Sequence, residues 1–454
     1  MYLSSLTFTV MILPLLLLMF CLLPQKGKYP FLLCAGLLIF GWSSPVRLVF
    51  PAAYLCFDYG IGLLLGRLQD RRGISRAILV GASLLQAAAL LMIRRAFADS
   101  TDPFFPIGTA IMTLQGLGYL IGVCRKKHPA EKNFLHFALY LTFFPLLYAG
   151  PLISYPEFRS QLEKRRYNIH SLGAGIELFI RGLAEKVVFA DTLGYVFREL
   201  RQTDPAQISM LTAWLTVLTF SMYLYFELLG YADMARGLGK CFGITLPKAF
   251  GQPFLSNGVT QFMEQWNITH VLWFQSNFRH LLLQGSKHRW MKYASLVVMW
   301  MLIGIWYNTT FPFLLWGMFI GLLLAVEQLF LGKILERNYA FGLAYTAVVL
   351  QFAWVFLFAD SLPEVLAFWK AMLGFGSGLA DSYGIYFFTS YIVFLLICFY
   401  IASDLFRNIM ERIAATAVGR KIAVYMPLIN CLILIFCMAS MLYADGQAEL
   451  WLHL

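Results

Sequence analysis

Nine residues in one stretch of this chain have side chains able to do chemistry where an apolar sequence would not be expected to place them. They are Glu227, Tyr231, Asp233, Trp266, Asn267, His270, Trp306, Tyr307 and Asn308. A carboxylate, an amide or an indole N–H in a lipid-facing helix is costly, so such groups mark either a polar cavity or an internal pairing. Glu227 and Asp233 flank Leu228-Leu229-Gly230-Tyr231, where a glycine permits close helix approach and a tyrosine can hydrogen-bond within the protein. For these two carboxylates, lining a polar cavity and structural pairing are equally open. Asp58, Glu177, Arg181, Glu185, Lys186 and Asp191 also lie within or beside apolar runs. Glu177, Arg181 and Glu185 follow one another at helical-turn spacing, which predicts internal ion pairs that orient helices.

The elements that must position these groups are membrane helices. The 454 residues are 60% hydrophobic, 17% aromatic and only 13% charged, far from a soluble globular mixture. Runs near the roughly 17–25 residues that cross a bilayer begin with Leu6 to Leu23, Leu48 to Leu65, Ala77 to Ile93, Phe104 to Val123 and Phe134 to Gly150. They continue with Met210 to Leu229, Ser295 to Trp306, Phe311 to Phe330, Ala340 to Phe358, Tyr386 to Ile401 and Ala423 to Tyr443. Shorter runs, Phe31 to Phe40 and Leu172 to Phe189, bring the expected total to about ten to thirteen. No polar stretch is long enough to fold alone and no repeat is visible, so a single membrane-embedded domain over residues 1–454 is expected. The first run lacks a basic leader and a small-residue cleavage site, which predicts a retained spanning helix.

Lys26 and Lys28, then Arg67, Arg71, Arg72 and Arg76, then Arg125, Lys126 and Lys127 mark alternate loops. Loops rich in Lys and Arg stay cytoplasmic, which puts the N-terminus outside, with Arg94-Arg95 as an exception. This clustering accounts for the formal charge of +11 without a continuous basic groove, so no nucleic-acid partner is expected. Membrane lipid is the expected surrounding. A bacterial inner membrane fits.

The eight cysteines show no CxxC pair. Cys21, Cys34, Cys56, Cys398, Cys431 and Cys437 fall inside apolar runs and are expected as small buried hydrophobes, while Cys124 and Cys241 stand at segment ends. His128, His136, His170 and His453 have no metal-ligand spacing, so no metal is predicted. A Gly-x4-Gly-Lys-Ser/Thr loop and a Gly-x-Ser-x-Gly elbow are both lacking, which removes support for ATP-driven transport and for a serine hydrolase.

Many short motifs in order resemble the membrane-bound O-acyltransferases, in particular the bacterial branch of alginate O-acetylases and teichoic-acid D-alanyl transferases. They run from Phe105-Pro106-Ile107-Gly108 with Gln115 and Tyr119, through Phe144-Pro145 and Ala149-Gly150-Pro151, to Arg181-Gly182-Leu183 with Lys186 and Ala190-Asp191. Next come Tyr225-Phe226, Gly230-Tyr231-Ala232-Asp233-Met234-Ala235, Gly237-Leu238, Phe242-Gly243-Ile244 and Pro253-Phe254. Trp266, Gly304-Ile305-Trp306, Leu315-Trp316-Gly317, Gly321, Glu327 and Trp354-Val355-Phe356 complete the series. The resemblance implies an all-α polytopic membrane protein whose curved bundle of transmembrane and re-entrant helices encloses a tunnel. There an acyl donor, such as acyl-CoA or an acyl-carrier thioester, meets an acceptor hydroxyl on a glycan or lipid. No bound cofactor is implied, and envelope-modification proteins are the implied partners.

The same resemblance makes the departures informative. A histidine following Gly-x-Trp would be the general base, and here that residue is Tyr307, followed by Asn308 in place of glycine. A phenol with an ordinary pKa near ~10 is almost fully protonated at neutral pH. The family's Phe-Trp-x-Arg-Trp-His-x-Ser appears as Phe262-Met263-Glu264-Gln265-Trp266-Asn267-Ile268-Thr269, so the second histidine is Asn267, which cannot take up a proton. Gln275-Ser276 stands for an Arg-Asp pair, and Phe358 for an arginine. His270, one turn beyond Asn267, is the candidate substitute base, with a histidine at the interface as its alternative. His280 and His288, among Arg279, Lys287, Arg289 and Lys292, suit a patch for anionic lipid.

Tyr307, Asn267 and His270 are therefore the candidate catalytic positions, and Glu227, Tyr231, Asp233, Trp266, Trp306 and Asn308 the candidate substrate-binding residues. The chain is expected to be a binding or scaffold component of the O-acylation of an exported polysaccharide or cell-envelope glycan, without histidine-based chemistry. The alternative is an active O-acyltransferase with a non-standard catalytic residue. A transporter, suggested only by intramembrane charges and discontinuous helices, is the third class.

Overall fold

A computed structural model describes residues 2–42, 44–97, 104–148, 150–164, 168–205, 207–279 and 288–443. Ala149, His280, Lys287 and His453, named above, lie outside the described residues. Among the described residues there are helices and turns and no strand. Nine of the helices are long and apolar enough to cross a bilayer. Two extremes show how the protein uses them. In the Met210–Cys241 span 83% of the most apolar stretch is buried inside the protein, whereas in Val424–Tyr443 the share is 6%.

The run Phe134 to Gly150 is not a spanning helix. The helix stops at Thr142, after which Phe143 turns away at φ −64°, ψ 97°. Pro145 has no N–H to continue a helical ladder, and Leu146 and Leu147 instead close tight turns onto the Phe143 and Phe144 carbonyls at 2.9 and 3.1 Å. The first run, by contrast, is one continuous helix that opens with five residues of π-helix, Phe8–Ile12, and passes directly into Leu13–Leu22.

The chain forms two compact units. The first comprises Met1–Leu183, Tyr231–Lys248 and Met438–Leu454. Here the Ile169–Ala184 helix lies against the Tyr231–Cys241 end of the long helix with Gly175 facing Gly237. A Cβ on either glycine would run into the other segment's backbone. Small residues at the contact let the two backbones approach closely. Asp58 is fully buried and accepts a hydrogen bond from Gln86 Nε2 at 2.6 Å.

The second unit comprises Ala184–Gly230 and Ala249–Cys437. Its helices Arg289–Tyr307 and Phe311–Val326 form a hairpin through Asn308, Thr309 and Thr310. Asn308 Oδ1 accepts the Thr310 N–H at 3.1 Å, and Pro312 occupies the first turn, where its missing N–H costs nothing. Gly304 and Gly317 lie against the Phe313 and Trp300 backbones, where a side chain would not fit. The hairpin is thereby locked in register, and Tyr307 is held at its closed end.

The cysteines divide. Cys398 and Cys437 are buried as expected, but Cys21, Cys34, Cys56 and Cys431 are exposed on apolar helices. Lipid is itself an apolar solvent, so a small hydrophobe there needs no protein cover. Cys241 is buried and Cys124 half-buried.

Candidate functional site

The joint that carries Asn267 is built by two short helices, Val259–Gln265 and Ile268–Phe274. Asn267 links them in the left-handed conformation, φ 44° and ψ 50°, which asparagine tolerates far better than most residues. Backbone bonds pin the joint on both sides. Ile268 N–H donates to the Ala249 carbonyl at 2.6 Å, and Gly251 N–H to the Gln265 carbonyl at 2.8 Å. The start of the first helix is held by Glu327, whose carboxylate accepts from the Val259 and Thr260 N–H groups at 2.6 and 2.8 Å and from the Thr260 hydroxyl at 2.6 Å. Glu327 is buried, and these bonds satisfy donors that a helix start leaves orphaned.

From this joint Asn267 Nδ2 donates to the Tyr307 hydroxyl oxygen at 2.5 Å. Two residues forty positions apart thus meet side chain to side chain. Tyr307 is half-buried, its ring edge-on to Trp306 and to Trp316, with centroids 5.1 and 5.9 Å away. His270 lies against Trp306, with ring centroids 5.0 Å apart. It is only 3% exposed, and neither ring nitrogen has a hydrogen-bond partner. Burial pulls its pKa from 6.5 down to about 3, so the ring is neutral at physiological pH. The Trp316 indole N–H is also buried without an acceptor. Each such orphaned group typically costs about 1–3 kcal/mol.

Trp266 supports the joint from behind. It is 3% exposed and packs on Trp354 at 5.0 Å, Phe250 at 5.4 Å and Phe262 at 5.5 Å. Trp266, Asn267, His270, Trp306 and Tyr307 are therefore brought together in one largely aromatic cluster of the second unit, joined through Trp316 and Trp354, while Asn308 is engaged in the hairpin turn.

Glu227 is placed elsewhere in that unit. It is 1% exposed and faces the Lys186 ammonium at 3.0 Å, while Lys186 also binds Asp191 at 2.5 Å. Tyr231 and Asp233 belong to the first unit. The Tyr231 hydroxyl pairs with Ser4 Oγ at 3.0 Å. Asp233 is bonded by Arg181 and, at 2.5 Å, by Arg236. The carboxylates at 227 and 233 are thus each matched to a cation. The sequence groups Lys186 with Glu177, Arg181 and Glu185 and does not foretell its pairing with Glu227; Arg236 stands one helical turn beyond Asp233, a partner legible by that spacing. Spacing gives no role to Glu327 as a clamp on the joint, because its targets lie 67 and 68 residues away.

Among the described residues no group of three or more His, Cys, Asp or Glu side chains is arranged to hold a metal ion.

Bilayer-length helices with paired charges between them define an integral, multi-pass membrane protein. The chain belongs to the membrane-bound O-acyltransferase family, whose model matches residues 123–359. It is 28% identical over 440 residues to the probable alginate O-acetylase AlgI of Pseudomonas putida, covering 91% of this chain and 90% of that protein. It is 26% identical to the peptidoglycan O-acetyltransferase of Helicobacter pylori over 62% of this chain and 59% of that protein. The teichoic acid D-alanyltransferase of Bacillus subtilis is likewise 26% identical, over 49% of this chain and 59% of its own length.

Proposed function

We propose that this chain takes part in the O-acylation of an exported polysaccharide or other cell-envelope glycan at a bacterial inner membrane, as a binding or scaffold component that lacks histidine-based transfer. It would act as one membrane-embedded domain beside envelope-modification proteins, with an acyl thioester or a glycan as ligand. The observation that carries this reading is the Asn267–Tyr307 hydrogen bond. At the two positions where the family resemblance expects histidines, an amide donates to a phenol oxygen, and neither group is a competent base near neutral pH. The relatives' names, which specify alginate, peptidoglycan and teichoic acid, support an envelope polymer as the acceptor class.

A second reading, an active transferase using His270, is favoured by one observation: both of its ring nitrogens lack partners. The imidazole is a weak base where it stands, since burial opposes its charging.

The test is acyl transfer from radiolabelled acetyl-CoA to alginate oligosaccharide by the purified protein in lipid nanodiscs, comparing wild type, His270→Ala and Tyr307→Phe. The binding reading expects no transfer by any of the three while the donor or the glycan is retained. Transfer by wild type that either substitution abolishes would establish an enzyme with a relocated catalytic group.

A further inference from the structure

The direction of the Asn267–Tyr307 bond determines what Tyr307 can do. Asn267 donates, so it occupies a lone pair of the phenol oxygen and leaves the phenol hydrogen to be given elsewhere. Among the described residues no acceptor takes that hydrogen. The Trp316 ring, 5.9 Å from that of Tyr307, presents an indole N–H that also has no acceptor. Against Trp306, neutral His270 carries one N–H and one bare nitrogen, both without partners. Around the Trp306-Tyr307 pair the protein therefore offers three neutral donors, the Tyr307 hydroxyl, the Trp316 indole and one His270 N–H, against two acceptors, the bare His270 nitrogen and Asn267 Oδ1.

A ligand suited to this surplus is rich in acceptors and carries no charge. A carboxylate or phosphate would need a cation or several backbone N–H groups to offset its desolvation, and this cluster supplies neutral groups instead. An ammonium would meet donors. A carbonyl oxygen, with two lone pairs and no charge, matches.

We infer that Tyr307 is a hydrogen-bond donor to the carbonyl oxygen of a bound acyl group, and that Asn267 sets its orientation by occupying the phenol oxygen. The inference rests on the binding role proposed above and narrows its ligand to an acyl carbonyl. That carbonyl has two chemical sources, the thioester of a donor and the ester of an acylated glycan, and the recognition is the same for both. Tyr307 is the residue that touches the ligand, and Asn267 is a positioning residue.

The experiment uses the full chain in nanodiscs and two probes with a 13C-labelled carbonyl, S-acetylpantetheine and methyl 6-O-acetylglucoside, with pantetheine and methyl glucoside as unacylated controls. Difference infrared spectroscopy reads the labelled carbonyl stretch. In the wild type the stretch of at least one probe is expected to shift to lower frequency on binding, and that probe identifies the source. Tyr307→Phe removes only the hydroxyl and should abolish the shift, with the preference for acylated over unacylated probe falling about tenfold, the loss of one hydrogen bond. Asn267→Asp keeps the phenol but supplies a carboxylate that captures its hydrogen, so it should abolish the shift as well. A bound probe whose carbonyl is unshifted, or whose shift survives Tyr307→Phe, overturns this inference and leaves the binding role standing. If neither probe binds the wild type, both fall.

Discussion

The Lys186–Glu227 pair allows a quantitative test of whether Glu227 is structural. Both side chains are almost wholly buried, 2% and 1% exposed, and their charged atoms are 3.0 Å apart. At an effective dielectric constant of about 20 that separation corresponds to an attraction of about 5–6 kcal/mol, which offsets the cost of taking both charges out of water. Lys186→Met removes the cation and strands a buried carboxylate, with an expected cost of about 3–5 kcal/mol. Glu227→Gln leaves Lys186 its second partner, Asp191, which is 36% exposed and can draw on water. That change should cost less, about 1–3 kcal/mol. Combining them removes both buried charges, so the double variant should be no less stable than Lys186→Met alone, giving a coupling of at least about 1 kcal/mol. Unfolding in mixed micelles, followed by tryptophan fluorescence against the mole fraction of denaturing detergent, measures all four corners of the cycle. Strictly additive costs, or a silent Lys186→Met, would refute the view that the pair is one structural unit and return Glu227 to the ligand-binding candidates.

Two further outcomes can be checked in the same assay. Trp266→Ala should cost about 3–5 kcal/mol, because it empties the space between Phe250, Phe262 and Trp354, while Trp266→Phe should cost distinctly less. His270 should make the fold sensitive to acid. The unfolded chain takes up a proton at this residue below about pH 6.5 and the folded protein resists until about 3, so stability is full above the upper value and declines as the pH falls. The decline amounts to about 2 kcal/mol between pH 6.5 and 5, and His270→Leu should flatten it.

Much of this architecture is legible in the apolar runs, and the places where it is not are instructive. Hydropathy over Phe134 to Gly150 cannot see that Pro145 breaks the ladder, so the run resembles a span and folds as a short helix and turns. Spacing along a helix offers Glu177 and Glu185 as neighbours of Arg181, but the ion pair its guanidinium forms with Asp233 lies 52 residues on. Local periodicity carries no information on such distant partners. The Asn267–Tyr307 contact was half visible: both positions stood out by residue type, while their meeting depends on a left-handed joint and a glycine-locked hairpin that no spacing rule encodes.

That joint also limits which residues can occupy position 267. Positive φ is steeply unfavourable for branched and bulky side chains, whereas asparagine, aspartate and histidine are several-fold enriched there. The backbone thus admits a small alphabet in which an imidazole and an amide are both allowed letters. An ancestral protein could exchange one for the other in a single substitution without rebuilding the helices on either side. Exchange of an imidazole for an amide at this point is therefore a change of side-chain chemistry at nearly constant architecture, made without disturbing the backbone that carries it.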